Sequence, residues 1–507
     1  MKVAIRVDAT SQIGAGHFMR CLTIADSLKV FSTKIFFISR NLPEYLQVIL
    51  IEKGHDFVIF NSRDGCERQD ELQHSGWLGV SQEQDALDSN LSLKGIAWDW
   101  LIVDHYALDF RWESKVNQVA KKILVIDDLA DRKHRCDILL DQNLYSNMEA
   151  RYADKVPNYC KLLLGPRYAM LRDEFIDMRQ YARPRIGVVK NILVFFGSVD
   201  SDNYTLSAMN ALINVGCKKL HVDIVIGIQN SSQAQIKEIC AKNNFTLHIQ
   251  SKKMAELIVK ADLAIGAGGI STYERLYLRL PAILKVITLN QLEPLLHMSK
   301  LGFFDLFSSQ QELESKLRKK LNQENVSPPD CVGNGNKNIV ELMIEDFIKL
   351  LVPRPWDLRR TFKWLENQNL RSDFFITEAP QQKTHFAYWR ETLNDQSQKV
   401  YSILYSGKHV GNCGLKKINA KDRTSELWIY IADVTARRKG VAKCAVLNLL
   451  LIAKNDLNCT EVKLHVAKNN LAAIKLYKNT GFYQTQELLT GRWSRRDAEF
   501  TLMKCTL

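Results

Sequence analysis

The feature that most limits how this chain can fold is a series of short, almost continuously apolar runs that alternate with longer amphipathic stretches. Such runs are typical of parallel strands buried on both faces, with a helix crossing between successive strands. The first series of predicted strands is Lys2–Val7, Lys34–Ile38, Asp56–Phe60, Trp100–Val103, Lys122–Ile126 and Ile138–Leu140. The second is Asn191–Phe196, His221–Ile226, Thr246–Ile249, Leu263–Ile265 and Ala282–Lys285. The pattern predicts two Rossmann-like α/β domains facing one another across a cleft.

The chain beyond residue 352 follows a different pattern, which predicts an α+β domain around a mostly antiparallel sheet. Its predicted strands are Val400–Tyr405, His409–Ile418, Glu426–Ile431 and Glu461–Val466, with closing strands near Phe482 and Phe500. Its predicted helices are Gly440–Lys454 and Asn470–Asn479. Before this domain, a helix is predicted over Asn338–Leu351, and Pro353 and Pro355 mark the boundary. The predicted domains are therefore 1–182, 183–352 and 353–507.

The net charge of +13 is concentrated in this last domain. Through residue 352 there are 43 Lys and Arg against 42 Asp and Glu, whereas beyond it there are 26 against 14. No run of basic residues is longer than three, and no aromatic-rich RNA-binding pattern is present. The charge therefore favours small phosphorylated ligands over nucleic acid as partners.

The cysteines and the apolar segments favour a cytoplasmic protein without a metal or a membrane segment. None of the eleven cysteines stands in a C-x-x-C spacing, and the nearest pair, Cys444 and Cys459, is too far apart for a zinc knuckle. Scattered cysteines are typical of small buried side chains in a reducing compartment. The longest nearly apolar run, Val441–Ala453, is too short to cross a bilayer, and no secretion signal is read at the start. The oligomeric state stays open.

The densest motif follows the first predicted strand and reads Ile13-Gly14-Ala15-Gly16-His17-Phe18-Met19-Arg20-Cys21-Leu22. Two glycines at a strand–helix junction let the backbone approach a diphosphate, and the free N–H groups of the next helix favour anions. His17 follows the second glycine, where its imidazole can act as a general base on whatever the loop binds. The alternative is a histidine that caps its own helix.

A second glycine-rich junction lies in the second domain and reads Gly266-Ala267-Gly268-Gly269-Ile270-Ser271-Thr272-Tyr273-Glu274-Arg275. Its helix start and its hydroxyls are suited to phosphate, and Glu274 could accept both hydroxyls of a ribose. Ser271 and Glu274 also have the spacing of a capping box, and both interpretations can hold. A third, less specific loop carries Gly197, Ser198, Asp200 and Asn203.

These motifs resemble the hydrolases of pseudaminic acid biosynthesis that act on UDP-2,4-diacetamido-2,4,6-trideoxy-β-L-altropyranose. The resemblance covers essentially residues 1–350 and is specific, because many short blocks occur in one order. Besides the junction around His17 with Arg6-Val7-Asp8 before it, the blocks are Val103-Asp104-His105-Tyr106 with Leu108-Asp109, Ile126-Asp127-Asp128-Leu129, Cys136-Asp137 with Leu139-Leu140-Asp141-Gln142-Asn143, Leu164-Gly165-Pro166 with Tyr168-Ala169 and Leu171-Arg172, and Asn290-Gln291.

The resemblance implies a GT-B architecture with UDP between the two domains. It implies that His17 activates water, that Tyr106 lines the pocket beside it, and that Glu274 and its glycine loop hold UDP. The residues expected to bind the substrate are Gly14, Gly16, Arg20, Arg172, Ser198, Asn203, Gly268, Gly269, Ser271, Glu274, Asn290 and Gln291. One departure is the loop Phe196-Gly197-Ser198-Val199-Asp200, where the family usually has Gly-Gly-Ser-Asp, and whether Ser198 or Asp200 reaches the diphosphate stays open.

The chemistry implied is hydrolysis with one base, a held leaving group and no metal. The sequence offers no second carboxylate placed as a covalent nucleophile. Cleavage of the sugar C–O bond with inversion is therefore expected.

A further motif stands where a strand of the last domain turns into a helix, Arg437-Arg438-Lys439-Gly440-Val441-Ala442. The spacing R-x-x-G-x-A lets backbone N–H groups and a helix N-terminus bind a pyrophosphate, although an ordinary basic helix start has the same residues. A second pattern follows the predicted strand at Glu461–Val466: Asn470, Ala473, Leu476, Tyr477, Gly481 and Phe482. Together the two patterns resemble the GNAT acetyltransferases over about Trp356–Leu507.

This second resemblance implies acetyl-CoA as co-substrate. It implies that the 437–442 loop binds the CoA pyrophosphate, that Asn470 lies along the pantetheine, and that Tyr477 protonates the departing thiolate. Glu426 is the candidate base for the attacking amine, with an ordinary surface-strand residue as the alternative. The motifs are widespread, so they specify the fold and acetyl-CoA better than the acceptor.

Taken together, the two parts predict an enzyme that N-acetylates a UDP-linked 4-amino sugar and then removes UDP from the product. One alternative keeps the folds but changes the substrates to another nucleotide-linked amino sugar or to a protein amine. Another is a GT-B glycosyltransferase, in which His17 serves a sugar acceptor instead of water. A third is a binding protein in which His17 and Tyr477 are idle.

Overall fold

The computed structural model describes residues 1–10, 12–29, 33–60, 70–197, 200–216, 220–322, 326–345, 347–368, 371, 378–485 and 500–507. The backbone divides into two compact units, one built from most of the chain up to Ile339 and the other mainly from Val340–Leu507. No helix of the described residues combines the length and the apolar character needed to span a bilayer.

The first sheet of the larger unit has seven parallel strands, as the continuously apolar runs predict. The strands are β1 (Lys2–Val7), β2 (Lys34–Ser39), β3 (Asp56–Ile59), β4 (Trp98–Asp104), β5 (Ala120–Ile126), β6 (Ile138–Asp141) and β7 (Lys161–Leu164). The helices around them are α1 (Gly16–Lys29), α2 (Glu44–Glu52), α3 (Gln82–Leu93), α4 (Phe110–Val116), α5 (Met148–Arg151) and α6 (Asp173–Met178). The spatial order is β3-β2-β1-β4-β5-β6-β7, and β7 is an addition to the predicted strands.

The second sheet has six parallel strands in the order β10-β9-β8-β11-β12-β13. They are β8 (Asn191–Phe195), β9 (His221–Ile226), β10 (Thr246–Ile249), β11 (Leu263–Ala267), β12 (Ala282–Lys285) and β13 (Asp305–Phe307), the last not predicted. The helices are α7 (Tyr204–Val215), α8 (Gln233–Asn243), α9 (Met254–Lys260), α10 (Ile270–Tyr277), α11 (Leu289–Lys300), α12 (Gln310–Asn322) and α13 (Gly335–Glu345). Both faces are buried, because Leu193 packs in one core while Ile192 and Val194 pack in the other.

Both sheets have a point where the strand order reverses. Strand β1 lies between β2 and β4, and β8 lies between β9 and β11. The loops that follow the two strands at such a point diverge to opposite faces and open a crevice that binds ligands. The His17 junction follows β1, Asp104 ends β4, and the second glycine junction follows β11. Both glycine motifs are therefore placed where open α/β sheets bind ligands.

The smaller unit contains a mostly antiparallel third sheet in the order β14-β15-β16-β17-β18-β20-β19. Its strands are β14 (Ile348–Leu351), β15 (Lys399–Tyr405), β16 (Lys408–Asn419), β17 (Thr424–Ile431), β18 (Glu461–Ala467), β19 (Tyr483–Gln484) and β20 (Phe500–Thr506). Its helices are α14 (Pro355–Leu365), α15 (Gln382–Asn394), α16 (Val441–Asn455) and α17 (Leu471–Lys478). The α+β prediction is thus confirmed.

The third sheet opens into a fork between β17 and β18. These two strands are paired in parallel only from Thr424 to Glu426. Beyond that point β17 stays paired with β16, and β18 with β20. Within the described residues, the facing edges of Leu427–Ile431 and Leu464–Ala467 have no strand between them. Their backbone N–H and C=O groups can pair with a ligand instead.

The predicted helix over Asn338–Leu351 is wrong in its second half. Helix α13 ends at Glu345, and Ile348–Leu351 form β14, which pairs antiparallel with β15. A four-residue apolar run beside an amphipathic helix looks like another helical turn, because the strand that pairs with it is distant in sequence. The chain therefore enters the third sheet before the predicted boundary at 352.

The predicted limit at residue 182 also lies later than the change of core. Ala169, Leu171 and Phe175 pack together with side chains of the second sheet. This segment is short and contains no break in composition, so only the tertiary packing assigns it to the second core.

Candidate active sites

His17 and Asp104 form a buried hydrogen-bonded pair at the carboxyl edge of the first sheet. His17 lies in the first turn of α1, and Asp104 is the last residue of β4. The Nδ1 atom of His17 is 2.6 Å from Oδ1 of Asp104, and the His17 side chain is one-tenth exposed. The imidazole therefore bonds to a neighbouring strand, which removes the alternative in which it caps its own helix.

Arg20 connects this pair to a second carboxylate. Its Nε lies 2.5 Å from Oδ2 of Asp104 and its Nη2 lies 2.6 Å from Oδ1. The guanidinium and the carboxylate therefore form a bidentate ion pair. Its Nη1 donates to Asp128 at 3.1 Å, and the Tyr106 hydroxyl donates to the other oxygen of Asp128 at 2.5 Å. A continuous chain of hydrogen bonds thus runs from His17 to Tyr106.

The charges of these hydrogen-bonded side chains determine which of their atoms carry protons. Burial works to raise the pKa of Asp104, but Arg20 and then His17 outweigh it and hold that pKa well below its usual range. An ionised carboxylate can only accept, so the neutral form of His17 carries its proton on Nδ1 and its lone pair on Nε2. Burial and then the charge of Asp128 raise the pKa of Tyr106 well above its usual value, so its hydroxyl stays protonated.

Three rings stand beside His17, and we refer to His74, Trp77 and Tyr106 as the aromatic cluster. The ring of Tyr106 meets that of His17 edge to face, with 4.6 Å between the centroids, and is stacked on Trp77 at 5.5 Å. His74 lies 4.4 Å from Trp77 and 5.3 Å from Tyr106. His74 and Trp77 were not among the sequence-predicted site residues.

The two glycine junctions are brought close to one another. Gly14 has a left-handed φ of 75°, which a residue with a side chain adopts at a cost, and so allows the tight turn before α1. A Cβ on Gly16 would lie 3.9 Å from the Ile270 side chain at the start of α10. Gly268 packs so tightly against Leu295 that a Cβ there would overlap that side chain. The loop of the first domain therefore faces the helix start of the second.

Glu274 is paired with a cation. The N–H of Gly269 donates to the Thr272 hydroxyl at 3.1 Å, so Thr272 closes the start of α10 and the predicted capping box of Ser271 with Glu274 is wrong. Glu274 accepts from Nε and Nη2 of Arg172 at 3.2 and 3.1 Å. Burial raises the pKa of Glu274, against the influence of Arg172. Contact of Glu274 with a ribose stays a prediction.

Asn290 is the second-domain residue that reaches the His17 site. Its Nδ2 donates to the Tyr106 hydroxyl at 3.3 Å. The neighbouring Gln291 lies beside the other glycine junction, with its Nε2 3.7 Å from where a Cβ of Gly269 would be. The first turn of α11 therefore contacts both the Tyr106 hydroxyl and the second glycine junction.

The third loop is described only in part. Ser198 lies outside the described residues. Asp200 caps α7, because its two carboxylate oxygens accept the first two N–H groups of that helix, each at 2.9 Å. Asn203, at the same helix start, accepts a hydrogen bond from Ser232 at 2.5 Å. The carboxylate of Asp200 is therefore engaged within its own loop.

In the smaller unit, the predicted pyrophosphate loop lies at the open end of the fork. The connection between β17 and α16 ends in Arg437, Arg438, Lys439 and Gly440, followed by Val441 and Ala442 in the helix. Gly440 has a left-handed φ of 75° directly before α16. The Arg437 Nε donates to the carbonyl of Ile431 at 3.1 Å, which ties the turn to the end of β17. The basic residues before α16 are thus held beside the end of β17, and the first N–H groups of the helix have no partner within the helix itself.

Tyr477 and Asn470 lie at the other arm of the fork, on the helix that follows β18. The Asn470 side chain accepts from the N–H of Ala473 at 3.1 Å and so caps α17. Tyr477 is mostly buried, and burial raises the pKa of its hydroxyl to about 12, so it holds its proton at neutral pH. Among the described residues this hydroxyl has no hydrogen-bond partner, so it is available to a ligand.

Glu426 is buried at the closed end of the fork, so it is not an ordinary surface-strand residue. Its carboxylate lies 2.6 Å from the Lys417 Nζ, 3.0 Å from the Lys416 Nζ and 3.4 Å from Nδ1 of His465. Burial works to raise its pKa, but His465 and the two lysines hold that pKa well below its usual range. A carboxylate so stabilised takes up a proton poorly, so the structure does not favour Glu426 as the base.

Asp104 and Asp128 were quoted within motifs but were given no role in the sequence analysis. The signal that could have found Asp104 is its position at the end of a buried strand, where a carboxylate faces the crevice of a parallel sheet. No comparable signal marks His74 or Trp77.

Comparisons with known proteins divide the chain in the same way. Residues 364–482 match the acetyltransferase (GNAT) family. The chain is 25% identical over 281 residues to the UDP-2,4-diacetamido-2,4,6-trideoxy-beta-L-altropyranose hydrolase of Campylobacter jejuni, which covers 55% of this chain and 89% of that enzyme. It is 24% identical over 289 residues to the spore coat polysaccharide biosynthesis protein SpsG of Bacillus subtilis, covering 56% of this chain and 76% of SpsG.

One relative matches almost from end to end. The uncharacterized protein MJ1062 of Methanocaldococcus jannaschii is 22% identical over 523 residues, covering 97% of this chain and 99% of that protein. Among solved structures, the Campylobacter jejuni N-acetyltransferase PseH is 20% identical over 32% of this chain and 98% of its own length, with a TM-score of 0.24. The chain thus joins a hydrolase-like N-terminal part to a GNAT domain.

Proposed function

We propose that the N-terminal part hydrolyses UDP-2,4-diacetamido-2,4,6-trideoxy-β-L-altropyranose to the free sugar and UDP. The observation that carries this proposal is the His17–Asp104 pair, whose hydrogen bond leaves Nε2 of His17 as the base. The 25% identity to the Campylobacter hydrolase over 55% of the chain supports the choice of substrate.

In the reaction, Nε2 of His17 takes a proton from water while the water oxygen attacks the anomeric carbon. The bond between that carbon and the diphosphate oxygen breaks, and its electron pair leaves with UDP. Asp104 stabilises the imidazolium that forms, because its ionised carboxylate lies 2.6 Å from Nδ1. A single displacement of this kind inverts the configuration at the carbon.

The second domain holds the leaving group. The glycine junction and the start of α10 offer backbone N–H groups and the positive end of a helix dipole to the diphosphate. The short distance between Gly16 and Ile270 supports a GT-B-like cleft in which one domain supplies the base and the other holds UDP. Asn290 of the second domain aligns the Tyr106 hydroxyl beside the base.

The C-terminal domain transfers an acetyl group from acetyl-CoA to the 4-amino group of the UDP-linked precursor. The left-handed Gly440 and the start of α16 fit the CoA pyrophosphate, and the inner edges of the fork fit the pantetheine amides. The amine nitrogen attacks the thioester carbonyl, and the C–S bond breaks as Tyr477 gives its proton to the sulfur. The proton that the amine nitrogen loses passes to water, and water in turn reprotonates Tyr477. The GNAT match over residues 364–482 supports this assignment.

These two steps are consecutive in pseudaminic acid biosynthesis, so the domain that comes second in the chain acts first. Acetylation produces the diacetamido sugar that the N-terminal part hydrolyses. Both substrates are small, anionic molecules, in keeping with the basic excess of the last domain.

The test is one incubation of the full chain with acetyl-CoA and the UDP-linked 4-amino-4,6-dideoxy-N-acetylaltrosamine in heavy-oxygen water. Free thiol, free UDP and the labelled product are followed against time. Thiol before UDP, with the label in the sugar, is the expected result. UDP released only when the diacetylated sugar is supplied contradicts the acetyl-transfer half of the proposal. Label in UDP contradicts C–O cleavage, and UDP release that requires an added sugar acceptor indicates a glycosyltransferase.

A further inference from the structure

Trp77 differs from the other tryptophans around the first sheet. Trp98, Trp100 and Trp112 are almost completely buried, and the indole N–H groups of Trp98 and Trp112 donate to Leu93 and Asp85. Trp77 is partly exposed and ends a short turn of 3-10 helix, Ser75–Trp77. Its indole N–H has no hydrogen-bond partner among the described residues. A tryptophan needed only for packing would be buried like these three, and its N–H would have a partner as those of Trp98 and Trp112 do.

Trp77 lies close to His17, the proposed base. Its ring centroid is 6.4 Å from that of His17, at an interplanar angle of 81°, and it is stacked on Tyr106. His74, also partly exposed, packs on the same two rings, Trp77 and Tyr106. Burial is the main cause that lowers the pKa of His74. Asp131 works to raise that pKa and Arg132 to lower it, and the net shift is downward, so the ring is neutral at pH 7. A sugar placed for attack by the water that His17 activates therefore lies close to two uncharged rings, those of Trp77 and His74.

We infer that His74 and Trp77 form a subsite for the apolar part of the sugar, so that the N-terminal site selects a 6-deoxy sugar over its hydroxymethyl counterpart. This inference rests on the proposed function and specifies which part of the substrate the aromatic cluster recognises. Aromatic faces contact methyl groups and C–H bonds favourably, whereas a hydroxyl placed against them loses its hydrogen bonds to water.

The chemistry also limits the size of the effect. An apolar subsite discriminates against one added hydroxyl by roughly ten- to a hundredfold, since it cannot pair with the hydroxyl but can accommodate its volume. The methyl substrate is therefore expected to have the higher kcat/KM by about that factor.

The experiment compares two UDP-linked diacetamido sugars that differ only at C6, one with a methyl and one with a hydroxymethyl group. UDP release is measured for the wild type, Trp77→Ala, Trp77→Phe and Trp356→Ala. Trp356 is an exposed tryptophan of the other unit and serves as the matched control. Thermal unfolding of each variant shows whether it is folded.

Trp77→Ala is expected to reduce the methyl preference at least fivefold, mainly through KM for the methyl substrate. Trp77→Phe is expected to retain most of the preference, because the ring face persists while the indole N–H is lost. Trp356→Ala is expected to leave both rates unchanged. A preference unaltered in folded Trp77→Ala overturns the inference but leaves the proposed hydrolysis intact. Loss of the preference in Trp77→Phe also overturns it, because the contact would then be a hydrogen bond. If the wild type releases UDP from neither sugar, the proposed function fails and the subsite with it.

Discussion

The two candidate sites are built in different ways. At His17, the reactive ring is held by side chains, since Asp104, Arg20, Asp128 and Tyr106 form one chain of hydrogen bonds. At the fork in the third sheet, the groups offered to a ligand are mostly backbone N–H and C=O groups on the inner edges of β17 and β18. The first arrangement selects one tautomer of one ring. The second can hold an extended molecule along its length.

This difference predicts which amino-acid substitutions each site will tolerate. A site that depends on buried charges fails when one of them is removed, because the low local dielectric makes an unpaired charge costly. A site of backbone groups is altered mainly by changes in backbone conformation. Single side-chain substitutions are therefore expected to act more strongly at His17 than at the fork.

His17→Ala is the strongest test of this comparison. Removal of the proposed base is expected to slow UDP release by about 10⁴-fold, the upper end for a general base, and to leave acetyl transfer unchanged. The measurement is UDP and thiol release under saturating substrate. His221→Ala, at a half-exposed histidine of β9, is the control and should change neither. Loss of both activities in folded His17→Ala would mean that the two sites are not separate.

Asp104→Asn tests whether the carboxylate controls the tautomer. An amide can donate to Nδ1, which moves the imidazole proton to Nε2 and removes the base, so kcat should fall about 10³-fold with little change in KM. UDP release measured from pH 5 to 9 should not recover at any pH. Asp99→Asn, a part-exposed aspartate of the same strand, is the control. A change in thermal stability with normal kcat would indicate a structural role only.

Tyr477→Phe probes the side chain that matters most at the fork. Loss of the hydroxyl proton is expected to slow acetyl transfer by about 10²-fold, while UDP release from the diacetylated sugar persists. Thiol release is the measurement, and Tyr483→Phe, at an exposed tyrosine a few residues on, is the control. Equal rates for Tyr477→Phe and wild type would assign the proton transfer to another group.

Gly440→Ala tests the backbone character of the fork. The left-handed φ of 75° costs a residue with a Cβ about 1 kcal/mol or more, so the KM for acetyl-CoA should rise roughly five- to tenfold. Gly407→Ala is a matched control, because Gly407 has a φ of 76° in the turn between β15 and β16. Both variants should lose similar stability. A rise in KM in both would show that strain alone, and not the binding loop, is responsible.

Glu426→Gln is expected to have the smallest effect on turnover, less than about threefold, because the carboxylate serves as an ion-pair partner. The pKa of Glu426 in the folded state lies below its ordinary value of 4.5. The ionised carboxylate therefore stabilises the fold fully above pH 4.5, and this contribution is lost as the pH falls from 4.5 through the folded-state pKa. The variant should be about 1–2 kcal/mol less stable than the wild type at pH 7 and converge with it in acid. Chemical denaturation at a series of pH values measures this. A hundredfold loss of acetyl transfer would instead restore Glu426 as the base.

Much of the fold follows from local sequence. Strands buried on both faces are recognisable as continuous apolar runs, and those of the two parallel sheets lie where the pattern predicts them. The exceptions are short edge elements. Strands β7, β13 and β14 have three or four residues, and β14 is held by pairing with β15, about fifty residues away. Their stability comes from tertiary contacts that no local window contains.

The candidate sites show the same limit. Glycine junctions and a histidine beside them are visible locally, so His17 and the 437–442 loop could be predicted. The partners of those residues depend on which strands are neighbours. Asp104 meets His17 because β4 lies beside β1, and Lys416 meets Glu426 because they are cross-strand neighbours. The depressed pKa that makes Glu426 a poor base is therefore a property of sheet register.

If the C-terminal domain binds acetyl-CoA along the fork as proposed, the stability of that domain depends on the concentration of this ligand. Amide groups along the inner edges of β17 and β18 are expected to exchange with solvent faster than those in the paired part of the sheet, until a ligand forms hydrogen bonds with them. A ligand that binds only the folded domain stabilises it by mass action, about 2.7 kcal/mol at a concentration one hundred times its dissociation constant. Acetyl-CoA would then supply, while it is bound, hydrogen bonds that the two strand edges otherwise lack. A cell starved of acetyl-CoA would not only halt the transfer but shorten the lifetime of the domain that performs it.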